Sequence, residues 1–123
     1  MGRKRAAQNI EMKPWMSAHA DCREGRFVQV GNSLLLSKNF QKLSAGSKAL
    51  YFCAAMESGG RPEFTFPRSA ASKYGISENT AARHIKELIE GGFIELVESG
   101  RLTRTASLYR FSLRWKLSGS EYK

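Results

Sequence analysis

Histidine and cysteine are nearly absent: His19, His84, Cys22 and Cys53 are the whole complement. Scattered without CxxC or HxxxH spacing, they do not make a zinc motif, so no metal site and no cofactor is expected. So few imidazoles leave little general acid–base equipment near neutral pH, and neither a G-x-S-x-G elbow nor a Walker loop occurs. An enzyme is the weakest functional reading. A disulfide is not expected in a reducing cytosol. Cys53, set between "YF" and "AAM", reads instead as a small buried residue. Long apolar runs are missing as well. No stretch approaches the roughly 18 residues of a membrane-spanning helix, and the basic start "MGRKRAAQNIEMKPW" lacks the apolar segment of a signal peptide. A soluble, cytoplasmic protein without a membrane partner is the expectation. Internal repeats and low-complexity segments are also absent.

Positive charge is what the chain has in excess. Twenty Lys and Arg stand against 11 Asp and Glu, a formal charge of +9, with an isoelectric point near 9.9. Such a balance points to a polyanionic partner, nucleic acid before an anionic membrane surface. The 123 residues, 41% of them hydrophobic, suffice for one domain that buries roughly two-thirds of its unfolded surface.

Residues 1–26 show neither helical nor alternating periodicity and read as a basic, flexible N-terminal arm. Within it, Arg3, Lys4 and Arg5 could lie on phosphates or enter a minor groove, and a solvated terminus is the competing reading. Trp15 sits awkwardly in such an arm, since an exposed aromatic usually finds a docking place. Residues 27–117 read as the folded domain and 118–123 as a frayed end. From Phe27, "FVQV" suggests a short extended segment and "NSLLLSKNFQKL" a short helix. The next helix starts at a Ser44 cap, places Leu50, Cys53 and Ala54 at helical spacing, and stops at Gly59-Gly60. "EFTF" is a strand candidate, and Pro67 suits the first turn of the helix "PRSAASKY".

The stretch "YGISENTAARHIKELIEGGFIEL" carries the chemistry. Gly75 ends one helix in a left-handed turn, Ile76 plugs the corner and Ser77 caps the next helix, giving helix, three-residue turn, helix. At about 100° per residue, Ala81, Ile85, Leu88 and Ile89 fall on one side and Arg83 almost opposite, flanked by Asn79, Thr80, Lys86, Glu87 and Glu90. Gly91-Gly92 stops the helix, "FIELVE" reads as a strand and "SLYRFSLRW" as its returning partner. From Ser99 to Lys116 lie Arg101, Arg104, Arg110, Arg114 and Lys116 with no acid among them.

On these residues, from "AASKYGISENTAARHIKELIEGGFIELVESG", the chain resembles the winged helix-turn-helix superfamily. With "FVQVGNSLLLSKNFQKLSAGSKALYF" and "SLYRFSLRWK" added, it looks like small helix-turn-helix proteins of phages and plasmids, and like the N-terminal winged helix of plasmid replication initiators. The likeness spans roughly residues 27–116 and leaves no room for the second domain of a full-length initiator. It implies an α+β fold, a three-helix core with a β-hairpin wing, and a recognition helix from Ser77 to Glu90 whose N-terminal end enters the major groove of double-stranded DNA. Arg83 would then suit guanine O6 and N7 and Asn79 adenine. Ser77 and Thr80 suit phosphate or thymine methyl, Lys86 a phosphate, and wing residues Arg101 and Arg104 the neighbouring backbone or minor groove. Arg68 and Lys73, on the preceding helix, are further backbone candidates along with the arm.

Each assignment has a rival. Arg83 could pair with Glu87 or Glu90, Ser77 could be only a cap, and Lys86, Arg68 and Lys73 could be solvated charges. His84 fits a packing residue at the edge of the apolar stripe. Phe93, Tyr109, Phe111 and Trp115 sit in the apolar alternation and read as core, while Arg110 and Arg114 could simply point outward. The leading function is transcriptional regulation of a phage, plasmid or other mobile element. Replication initiation or an accessory role at origin DNA is one alternative, and a winged helix used for protein interaction another. A second copy of the chain stays open as a partner, although no heptad pattern or long C-terminal helix supports it.

Overall fold

Short polar caps and left-handed glycines divide the chain into its elements. The computed structural model describes residues 10–100 and 106–117. Within them, β1 (Ile10–Glu11) pairs antiparallel with β2 (Arg23–Glu24) around a 3-10 turn at Pro14–Met16. Next come α1 (Asn32–Leu36), α2 (Lys38–Gln41), α3 (Ala45–Ser58), β3 (Glu63–Thr65), α4 (Arg68–Lys73) and α5 (Glu78–Glu90). Then β4 (Ile94–Glu98), β5 (Leu108–Phe111) and α6 (Arg114–Leu117) complete the described part. The architecture is mixed α+β, with six α-helices and two small antiparallel sheets among the described residues.

The caps are physical, not only compositional. Ser44 accepts from the Ser47 backbone N–H at the start of α3, and Ser77 accepts from the Thr80 N–H at the start of α5. Each satisfies one of the donors that a helix start leaves without an intrahelical partner, an effect of typically about 1 kcal/mol. Gly75, at φ +76°, turns the chain between α4 and α5. Gly92, at φ +83°, does more, because a Cβ there would press on Arg114 Cβ and the Trp115 nitrogen, each 3.1 Å away. α6 can close over the end of α5 only because that side chain is missing.

The larger sheet has the order β3-β5-β4, so the last strand in sequence lies in the middle. Its register sets Glu63 and Glu95 opposite Arg110 from either side, Phe64 and Leu96 opposite Tyr109, and Ile94 opposite Phe111, with a bulge between Leu96 and Glu98. One face of this sheet joins α3, α4 and α5 around Leu50, Ala54, Phe64, Ala71, Ala81, Ile85, Leu88, Phe93 and Ile94. Leu50, Leu88, Phe93 and Ile94 are fully buried, and each such side chain contributes about 1.5–3 kcal/mol over exposure. Phe93 stacks on Trp115 at 5.1 Å and meets Phe40 and Tyr51 edge-on. Of the apolar stripe read from the sequence of α5, Ala81, Ile85 and Leu88 are buried and Ile89 is half-buried against the core.

Five local expectations change. Residues 10–26 are not without structure: the β1–β2 pairing is closed by the Met12 N–H donating to the Cys22 carbonyl at 2.6 Å, and Ser17 bonds Glu24. Strands of two residues are too short to show periodicity. Trp15 remains 77% exposed, so its docking place is not within this hairpin. "FVQV" forms no strand, and "NSLLLSKNFQKL" splits in two because Ser37 leaves helical geometry and its hydroxyl caps α2. Pro67 is the residue before α4, not its first turn. Finally, the returning strand stops at Phe111, and Trp115 belongs to a helical turn. Residues Arg3, Lys4, Arg5, Arg101 and Arg104 lie outside the described residues.

Candidate nucleic-acid interface

α5 shows one exposed side, made by Asn79, Ala82, Arg83, Lys86 and Glu90. Among the described residues Arg83 and Lys86 make no ion pair, and the Asn79 amide makes no side-chain hydrogen bond. Arg83 therefore does not pair with Glu87 or Glu90. Its guanidinium fork and the Asn79 amide are not taken up by any other described residue.

Cations near the turn behave differently. Arg68 Nε lies 3.6 Å from Glu78 Oε1 on an exposed surface. Lys73 Nζ is 2.6 Å from Glu57 Oε2, which also accepts from the Tyr74 hydroxyl at 2.7 Å. These bonds from Lys73 and Tyr74 hold Glu57 below the usual carboxylate range. Burial, and then the Glu57 contact, push the Tyr74 phenol up to about 12. Arg68 and Lys73, named above as backbone candidates, thus already have carboxylate partners within the fold. Ser77 and Thr80 also satisfy each other: beyond the cap, the Ser77 hydroxyl donates to Thr80 Oγ1 at 2.9 Å. The donor of the Thr80 hydroxyl is left to point elsewhere.

The inner edge of α5 is tied to α3 by a cluster of four side chains. Glu87 accepts from the Ser44 backbone N–H at 3.0 Å, from the Ser44 hydroxyl at 2.8 Å, and from the Ser47 hydroxyl. His84 Nδ1 lies 3.0 Å from Ser47 Oγ. With the Ser47 proton given to Glu87, the imidazole donates from Nδ1. The bonds from Ser47 and the Ser44 backbone lower the Glu87 pKa. Glu87 is therefore not a merely solvated carboxylate of the polar face, as its place on the wheel suggests. His84, with 12% of its side chain exposed, is the boundary packing residue that the wheel indicates. A Cβ on Gly46 would lie 2.2 Å from His84 Nε2, so the absence of that atom lets the two helices meet here.

Serine, histidine and glutamate together invite comparison with a hydrolytic triad, and the geometry rejects it. Ser47 is fully buried, and Ser47 and Glu87 both address Nδ1 while Nε2 faces the Gly46 backbone. A triad needs the nucleophile on one ring nitrogen and the carboxylate on the other, with the hydroxyl reachable. Cys53 is no better a nucleophile, since burial and then Glu57 raise its pKa. Among the described residues no group of three or more His, Cys, Asp or Glu could hold a metal ion. No helix of the described residues is long and apolar enough to cross a membrane.

Sequence reasoning located the exposed face of α5 and its caps, and missed the joint between α3 and α5. Ser44 and Ser47 stand some forty positions before Glu87, and no local pattern links them. Searches against protein-family models, curated proteins and solved structures find no match for this chain.

Proposed function

We propose that the protein is a winged helix-turn-helix that binds double-stranded DNA, with the first turns of α5 in the major groove and the loop between β4 and β5 on the adjacent backbone. The observation that carries this reading is how charge is partitioned around the turn. The cations of α4 are held by Glu78 and Glu57, whereas Arg83 and Lys86 stand exposed beside Asn79 on α5 with no ion pair among the described residues. An unpaired guanidinium and an uncommitted amide on one helix face are the groups that bond bidentately to guanine and adenine. The order of elements supports the same reading: α3, β3, α4, α5, then the β4–β5 pair, with β5 between β3 and β4. The narrower role, regulation of transcription on a mobile element, rests on the resemblance of the sequence alone.

Selection of binders from a pool of random duplexes at about 150 mM salt tests the proposal, because non-specific attraction is partly screened there. An enriched motif is the expected result, and its symmetry distinguishes one reading head from two. No enrichment, with duplex and single strand bound alike, overturns it in favour of an interaction module.

A further inference from the structure

A second group of cations lies at the end of α5 opposite its Ser77 cap. Lys38 and Lys42 bracket α2, Lys48 sits on α3, and Arg114 and Lys116 come from α6. The fold brings these stretches together. Asn39 Nδ2 donates to the Trp115 carbonyl at 2.7 Å, the Lys48 ammonium lies 5.9 Å from the Phe40 ring centre, and that of Lys116 lies 6.0 Å from the Trp115 ring. Phe40 and Trp115 both pack on Phe93. Lys38, Lys42, Lys48 and Arg114 make no ion pair among the described residues. Arg110, by contrast, is held between Glu95 at 2.8 Å and Glu63 at 3.4 Å. Among the described residues Glu57 and Glu78 hold the cations of α4, Glu63 and Glu95 hold Arg110, and Lys38, Lys42, Lys48 and Arg114 have no such carboxylate. Like charges gathered on one face repel one another, and a polyanion relieves that repulsion.

Position separates this face from the exposed side of α5. The thirteen residues of α5 span about 20 Å, more than the roughly 12 Å width of a major groove. Two residues past the end of α5 lies Gly92, on which Arg114 and Trp115 pack. Between the two sets of cations stand Glu87, hydrogen-bonded to Ser44, and the exposed Glu90. One phosphate backbone running from Arg83 to Lys42 would pass both carboxylates and be repelled.

We infer that α2, the start of α3 and α6 form a second phosphate-binding face, which holds the backbone of a second DNA duplex while α5 occupies the groove of the first. The cations come from three elements and suit a rigid array of phosphates, with one negative charge per about 1.7 Å of duplex axis. The inference rests on the proposed role of α5 for its first duplex only.

Capture of one duplex by another tests it. A duplex is tethered to beads, saturated with protein and washed, and a fluorescent duplex of unrelated sequence is added at about 150 mM salt. The wild-type protein is expected to capture the second duplex. Lys38→Glu/Lys42→Glu should keep the first and lose the second. The milder Lys38→Gln/Lys42→Gln should reduce the slope of log capture affinity against log salt by about 2, one phosphate contact for each lysine. Capture by the wild type that persists unchanged in Lys38→Glu/Lys42→Glu overturns the inference, as does a wild type that binds one duplex and never a second. If the double charge reversal instead releases the tethered duplex while Arg83→Ala/Lys86→Ala retains it, the face stands and the role of α5 fails.

Discussion

Arg83 and Glu87 are four residues apart on α5 and do opposite things. Arg83 points outward with no partner among the described residues, so its removal leaves no buried group unsatisfied. Under the proposed function, Arg83→Ala should cost about 1–3 kcal/mol on the selected site and relax preference at one base pair, without lowering the melting temperature. Titration of a substituted-site panel by fluorescence anisotropy measures both effects, and unchanged binding excludes base reading by this residue. Glu87 points inward. Hydrogen bonds from Ser47 and Ser44 hold its pKa below that of an unfolded glutamate, so its contribution to stability is complete above about pH 4.3 and is lost as pH falls through the folded value. Glu57, lowered by Lys73 and Tyr74, acts in the same direction. Glu87→Gln should therefore lower the melting temperature near neutral pH and make progressively less difference as the buffer is taken down to about pH 2. A loss independent of pH contradicts the hydrogen-bonded carboxylate.

At the scale of elements, the meeting of α3 and α5 decides which side of α5 is free. Two features set it: the apolar stripe of Ala81, Ile85 and Leu88, and the closeness allowed by Gly46 under the His84 ring. Gly46→Ala should destabilise the fold by about 1–3 kcal/mol through overpacking. The cost should shrink in a His84→Ala background, where the obstructing ring is gone. Urea denaturation of the four proteins of this cycle gives the coupling, and simple additivity would show that the ring and the glycine do not constrain each other. The stripe was legible in the sequence because its spacing alone fixes which residues share a side. The glycine was not, since Gly46 and His84 are distant in the chain and nothing local marks a glycine that exists to admit a distant ring. Likewise, "NSLLLSKNFQKL" has the composition of one helix, and only the extended Ser37, whose hydroxyl caps the turn that carries buried Phe40, makes it two.

For the whole molecule, the net charge of +9 predicts strong salt dependence of DNA binding under the proposed function. If α5, the β4–β5 loop and the N-terminal residues together neutralise about five phosphates of one duplex, log affinity should fall against log salt with a slope of roughly −4 to −5. Measurement between about 50 and 200 mM salt checks it, and a flat response removes phosphate contact from the account.

Composition and periodicity by themselves determined that the chain is basic, and that it carries a turn between two helices with one apolar stripe. These properties depend on residues close together in sequence, where caps, glycines and a repeat of 3.6 residues act directly. Tertiary structure decided how the charges are shared. Arg68, Lys73 and Arg110 find carboxylates on other elements, Glu87 turns from the polar face to the start of α3, and Arg83, Lys86, Lys38 and Lys42 have none among the described residues. An ion pair acts within a few ångströms of space regardless of distance along the chain, so only the folded arrangement distinguishes a cation already neutralised from one still open to a partner.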